Sequence, residues 1–370
     1  MILLDVVAPL LLCAQTQPVQ EKLTEVVVVG TQHFISDMPS GYTPAHLRVL
    51  LTKINPAALA VEAPSNVKNP WDFAPLELQW VTKPWADQRR LPLIPVGWND
   101  QFYQLKVQNM MGAFQKAGKG EEYQKLENRF QVETAADIAC ENFNGEKSID
   151  LWRQYHKALH ELYGKDTPWE TANSKIFDNL RNALREYRGK RVAIVFGAAH
   201  GYYLIDALSQ EEGVKVLPCS SFFPLSAKEV ADQTTPKDHL FALRLLNFGA
   251  VAPDKLDDLG KHLEVVKSAK EYAGDYELFR GKYLLQKGDF EGARAAFGIV
   301  VGLPDDLTSA FDGTSRLNEA GAIFMALALA REGKTADALA QVEGVLKKGA
   351  HSAPMKQWAE KLQEELRPKK

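Results

Sequence analysis

The sequence predicts an α/β fold, a mainly parallel sheet flanked by helices, followed by an all-α helical-repeat domain. Three observations carry this expectation. Residues 25–29 (EVVVV) and 191–196 (RVAIVF) are apolar runs without alternation, the pattern of strands buried on both faces. Strand patterns alternate with helical ones across short glycine turns as far as Pro218, the order that builds a parallel sheet. Beyond residues 226–237 only helical periodicity remains.

With 370 residues the chain exceeds one typical core, so two domains are expected: α/β over residues 19–225 and helical over 237–370. The composition, 45% hydrophobic and 25% charged, is that of an ordinary globular protein, and a net charge of -3 offers no electrostatic reason to expect nucleic acid as a partner. Residues 1–18 (MILLDVVAPLLLCAQTQP) look like the hydrophobic part of a secretory signal, although no basic residue precedes the run and Asp5 interrupts it. On that reading the protein is exported, to the periplasm. No other stretch approaches the ~20 consecutive apolar residues of a membrane span. Cys13 belongs to this leader; Cys140 and Cys219 either pair in an oxidising compartment or lie buried as thiols.

Taken in order, residues 25–29 form the first strand. A polar loop over 34–42 follows, then a helix over 44–53 with Pro44 at its first position. Residues 57–61 form the second strand, with Glu62 at its carboxyl end. Trp71, Trp80, Trp85 and Trp98 crowd the next segment, either as a pocket wall or as core, and 91–96 is a third strand within it. Residues 101–162 read as mostly helical. The stronger helix is 170–187, where Ile176, Leu180, Leu184 and Tyr187 recur at helical spacing. Residues 191–196 are the fourth strand, His200-Gly201 opens a helix through Leu208, and 214–218 is the fifth strand.

In the helical tail, residues 279–300 place Gly288-Asp289-Phe290 between two amphipathic halves. Ala326, Gly333, Ala338 and Val342 later take the places of Gly281, Gly288, Ala293 and Phe297. This resembles the tetratricopeptide repeat, where small residues let paired helices pack closely and glycine makes the turn. The turn glycines stand about 45 residues apart rather than ~34, the excess falling in the loop at 304–313. Such repeats imply a protein partner.

The chemistry sits at the strand ends. EVVVVGTQH (25–33) and VAIVFGAAH (192–200) share one grammar, an apolar strand and then Gly-x-x-His. In parallel sheets the loops after the carboxyl ends of strands form the ligand crevice. His33, Glu62 and His200 all arrive there. Two neutral imidazoles and a carboxylate suit an open site for a divalent transition metal such as manganese, cobalt or zinc. The same trio can instead do general acid–base work without metal.

The paired Gly-x-x-His motifs with an intervening strand-end glutamate resemble the TraB/Tiki/erythromycin-esterase-like superfamily. Within it, GTQHF followed by LAVEAP is similar to a set of bacterial proteins reading Gly-Thr-x-His-Phe and then Val-Glu. The resemblance covers roughly residues 26–208. It implies an α/β fold in which Gly30, His33, Glu62, Gly197 and His200 line one pocket, with metal-dependent proteases among its members. Relatives often carry an Arg-Asn pair before the second motif. Here Asn173 fits and Ala172 replaces the arginine, with Lys175 the nearby cation.

Lesser candidates are Asp100, a further carboxylate at the third strand end or a turn cap, and Tyr202, a pocket aromatic or a core residue. His156 and His160 lie one helical turn apart without the HExxH arrangement and read as a solvated helix face. Cys219-Ser220 lacks the nucleophile elbow. The expected function is metal-assisted hydrolysis of an amide or ester bond, with a peptide or ester as substrate. The alternative is a non-catalytic ligand-binding or scaffold protein that uses the same pocket and the helical repeats.

Overall fold

The computed structural model describes residues 22–33, 41–135, 139–247, 250–310, 315–348 and 353–367. The leader at 1–18 with Cys13, and most of the loop at 34–42, lie outside the described residues. The described chain falls into two compact units, one of residues 22–33 with Leu50–Pro224 and one of residues 41–49 with the chain from Leu225.

In the first unit five strands form one parallel sheet. They are β1 (Thr24–Thr31), β2 (Ala58–Pro64), β3 (Leu93–Gly97), β4 (Arg191–Gly197) and β5 (Val214–Val216), in the order β3-β2-β4-β1-β5. All five expected strands are present. The two apolar runs became the central pair, β1 against β4, where Val26, Val27, Val29 and Val192 through Val195 are wholly buried. Among the described residues eight α-helices accompany the sheet or its connections: α1 (Pro44–Ile54), which crosses the division between the units, α2 (Lys83–Arg89), α3 (Tyr103–Lys116), α4 (Gly120–Ala135), α5 (Cys140–Phe143), α6 (Glu146–Tyr163), α7 (Pro168–Leu184) and α8 (Ala198–Leu208).

Helix α7 starts where its sequence dictates. Thr167 and Glu170 close a capping box around Pro168, with Glu170 Oε2 accepting from the Thr167 N–H at 2.7 Å. Its stripe of Ile176, Leu180 and Leu184 meets Leu204 and Leu208 of α8 over Val26, Val28, Ile194 and Phe196 of the sheet. Each such side chain contributes about 1.5–3 kcal/mol by leaving water.

Connections after β1 and β2 run towards the β3 edge, and those after β3 and β4 run the other way. Right-handed crossovers therefore place them on opposite faces. Neighbours β1 and β4 thus part at their carboxyl ends, as β2 does from β4 and β3, a switch point of the kind at which parallel sheets open a crevice.

The second unit is helical. It holds α9 (Ala227–Gln233), α10 (Pro236–Ala242), α11 (Pro253–Lys267), α12 (Ala273–Gln286), α13 (Phe290–Val301), α14 (Leu317–Arg331), α15 (Thr335–Lys348) and α16 (Ala353–Leu366). Helices α12–α13 and α14–α15 are two hairpins that turn at Gly288 and Gly333, both in the left-handed region (φ 77° and 81°) that only glycine enters cheaply. Ala293, Phe297, Ala326, Ala338 and Val342 are all wholly buried, as the aligned positions require. The spacer between the hairpins carries an isolated bridge, Thr308 to Arg316, with 311–314 outside the described residues. No helix among the described residues is long and apolar enough to cross a membrane.

Gly281 is needed for space rather than for its backbone. A Cβ there would stand 2.4 Å from the Phe297 ring. Gly281→Val is expected to cost about 1–3 kcal/mol by overpacking. A thermal or urea melt checks this, and an unchanged midpoint would refute the close approach.

Candidate catalytic site

The β1–β4 register aligns Thr31 with Gly197, so the two Gly-x-x-His segments end side by side. Their glycines serve different ends. Gly30 lies against the first turn of α8, where a Cβ would meet Ala198 Cβ at 3.0 Å, and its N–H donates to Asn144 Oδ1 at 2.7 Å. Gly197 makes room for an imidazole, since a Cβ there would fall 2.4 Å from His33 Nε2. Neither has a positive φ, so both are spatial glycines rather than turn glycines.

His33 itself takes φ 52°, a left-handed conformation that costs a residue with a Cβ free energy and recurs at functional sites. Glu62 sits where the β2–β3 register shifts between Val61 and Pro64, an irregularity of the kind that re-aims a side chain. His200 stands in the first turn of α8, three residues past the end of β4.

The three groups meet. Glu62 Oε1 lies 3.6 Å from His33 Nε2 and 3.4 Å from His200 Nε2. Every atom turned away from that meeting point is held. Glu62 Oε2 accepts from the Gly197 N–H at 2.6 Å. His33 Nδ1 lies 2.9 Å from Glu77 Oε1, which also accepts from the Thr31 hydroxyl at 2.6 Å. His200 Nδ1 lies 2.5 Å from Asn173 Oδ1. Acceptors at both Nδ1 atoms hold a proton there and turn both Nε2 atoms towards Glu62.

Burial and charge compete at His33. Burial disfavours its cation, but the Glu62 charge and the Glu77 hydrogen bond and charge outweigh this and raise its pKa to about 9. Burial works against the Glu62 carboxylate in the same way. His200, His33 and the Gly197 N–H prevail, and its pKa is lowered.

A layer of rings backs His200. Trp169 stacks on it at 4.2 Å, His156 on Trp169 at 5.3 Å, and Tyr202 on His156 at 5.1 Å. Tyr202 therefore belongs to this buried stack. His156 is not on a solvated face as its sequence context suggested. Only 5% exposed, it is enclosed by rings, and burial lowers its pKa to about 3. Asp100 caps a turn, accepting from the Phe102 N–H at 3.0 Å and pairing with Lys106 at 2.6 Å. Lys175 is exposed on α7. Cys140 and Cys219 are both buried thiols.

Of the residues singled out by sequence, the structure brings together His33, Glu62, His200, Gly197 and Asn173, with Gly30 beneath them. It adds Glu77, Thr31, Asn144 and Trp169. Glu77 sits in a tryptophan-rich stretch with no motif, and only its burial (1% exposed) discloses it.

The donor set fits a divalent metal, since two imidazoles oriented through Nδ1 and a carboxylate pinned through one oxygen are the supports metal ligands need. His33, Glu62 and His200 are more widely spaced than a closed site. Among the described residues the group whose ligand atoms all lie within 4.8 Å of one another is His160, Asp166 and Glu170 on the surface. There Glu170 already caps α7 and pairs with His160 at 3.0 Å. Comparison with known proteins finds no matching family model, no matching curated protein and no matching solved structure.

Gly197→Ala tests the close approach. The added methyl displaces the end of a side chain, so the fold is expected to persist while the His33 ring swings from Glu62. In chelator-treated protein, NMR titration should then find His33 closer to its ordinary 6.5 than to about 9. A titration identical to wild type would refute the contact.

Proposed function

We propose that the first unit hydrolyses an amide or ester bond at His33, Glu62 and His200, assisted by a divalent transition metal such as manganese, cobalt or zinc. The observation that carries this reading is the convergence of Nε2, Nε2 and Oε1 while every outward atom of the same three groups is held. Ligands prepared in this way are oriented before anything binds.

Charge supports the same reading. Two carboxylates, Glu62 and Glu77, face two imidazoles at the switch point, and Glu77 Oε2 is buried without a partner among the described residues. Protons on the imidazoles or a bound cation can balance this excess. His33 and His200 would hold the ion through Nε2 and Glu62 through Oε1. Such an ion, when bound, supplies a nucleophilic hydroxide at neutral pH and polarises the scissile carbonyl.

The protein groups supply the rest. With Oε1 off the ion, Glu62 can instead act as the base, taking a proton from the attacking water and passing it to the leaving group while both Nε2 atoms stay occupied as ligands. Gly197 N–H keeps Glu62 from rotating, and Glu77 and Asn173 fix which imidazole nitrogen is free. The superfamily that the sequence resembles contains metal-dependent proteases, which agrees with this chemistry. The helical unit would recruit a protein partner, in keeping with its repeat pattern.

Protein purified without a histidine tag should bind about one equivalent of metal, lost in His33→Ala/His200→Ala. The sign of the pH dependence follows from His33. Held protonated up to about 9, it must lose that proton to become a ligand, so binding should release a proton at pH 7. Affinity should rise about tenfold per pH unit and level off near 9. Calorimetry in buffers of different ionisation enthalpy measures the released proton. Glu62→Gln should lower hydrolysis by roughly 10²–10⁴-fold. No bound metal under any of these conditions would sink the metal-assisted reading.

A further inference from the structure

In the first unit, three Phe or Trp side chains are exposed among the described residues: Phe73 (58%), Trp98 (39%) and Phe102 (55%), with Leu105 (53%) beside them in sequence. All four follow the carboxyl ends of β2 or β3, the end of the sheet that carries Glu62. The other tryptophans of this stretch are not so placed. Trp85 is buried, its Nε1 donating to Thr52 Oγ1 at 3.2 Å, and Trp71 lies partly covered with Lys83 at 5.8 Å.

The exposed rings are joined to the reactive groups by short, fixed lengths of chain. Trp98 follows Gly97, whose missing Cβ lets the chain lie against the Glu62–Ala63 peptide; a Cβ would stand 3.0 Å from Ala63 C and 3.1 Å from Glu62 C. Asn66 and Asn99 then exchange two hydrogen bonds at 2.8 and 2.9 Å, which fix the loop carrying Trp98 to the one after β2. Phe73 ends a 3-10 turn (Pro70–Phe73) four residues before Glu77, the residue that holds His33 Nδ1. Phe102 is fixed through Asp100. These rings are presented by tied loops on the Glu62 and Glu77 side of the site.

We infer that this rim is a substrate subsite for an apolar group, an acyl chain or aryl ring, flanking the scissile ester or amide. The inference rests on the hydrolase reading for its bond and on the rim's continuity with Glu62 for its position. A small polar substrate would gain nothing from rings held in water on these tied loops, whereas an apolar group would cover them.

The test separates the rim from the reaction. Binding of dansylundecanoic acid, a fluorescent acyl probe that is not hydrolysed, is measured in wild type, in Phe73→Ser/Trp98→Ser, in His33→Ala/His200→Ala, and in Trp358→Ser as an exposed aromatic of the other unit. The expected result is at least about tenfold weaker binding in the rim variant alone, circular dichroism confirming its fold. In parallel, the preference for p-nitrophenyl octanoate over p-nitrophenyl acetate should fall about tenfold in that variant. Probe binding that ignores the rim substitutions, or is absent from wild type, overturns the subsite even if esters are cleaved. Probe binding that follows the rim while no ester or amide is turned over upholds the apolar subsite and removes the hydrolase reading. Sedimentation velocity covers the remaining occupant: a wild-type dimer that the rim variant dissolves would show that the rings face a second copy, and would overturn the proposal.

Discussion

The site depends on an atom that is missing. Because residue 197 has no Cβ, the His33 ring can lie over the end of β4, where Nε2 sits 2.4 Å from the position a methyl would occupy. The β1–β4 register brings the two chain ends together, but register alone would bring two backbones together and leave the imidazole no room. The same residue uses its N–H to hold Glu62 Oε2. One glycine therefore both admits the first histidine and orients the carboxylate between the two.

The surroundings keep that arrangement in place against several costs. His33 holds a left-handed backbone, Glu62 stands at a register shift, and a buried carboxylate, Glu77, has one oxygen unpartnered among the described residues. Each costs free energy that the rest of the unit offsets. The offset comes from the apolar layer under α7 and α8 and from rings stacked behind His200. Helix α7 contributes to both, since Ile176, Leu180 and Leu184 anchor it to the sheet while Trp169 and Asn173 of its first turns bear on His200. Its capping box fixes where those turns begin.

What could be read from the sequence follows from the range of the interactions concerned. Apolar runs and glycine turns are local signals, so the five strands, α7 and the repeated hairpins were legible. His33, Glu62 and His200 were legible because each stands at a strand end, and strand ends in a parallel sheet converge. Glu77 was not, because its role arises from a contact across 44 residues with no periodic signal around it. His156 was misread for a related reason. On its own helix it stands among Arg153, Lys157 and His160 as well as Trp152 and Tyr155, and the further rings that close over it, Trp169 and Tyr202, come from two other helices. The tryptophan-rich segment left two readings open because core and pocket wall share one composition. The structure divides it, with Trp85 inside and Trp98 in water.

The distribution of polarity at the crevice then limits the chemistry. Around the meeting point of the three groups lie a carboxylate (Glu77), a side-chain amide (Asn173) and a backbone N–H (Gly197), each fixing an atom of His33, Glu62 or His200, with the Thr31 hydroxyl holding Glu77 in turn. On the β2–β3 side lie rings that nothing polar requires. A site meant only to hold a charged ligand would surround it with donors. Here the polar partners, the acceptors Glu77 Oε1 and Asn173 Oδ1 and the Gly197 N–H donor, are turned inward onto the reactive side chains themselves, and the rings exposed on the loops after β2 and β3 are apolar. On the proposed reading, such a division suits a substrate with one reacting polar group and one apolar flank, because the inward network sets proton positions while the exposed rings would cover the flank.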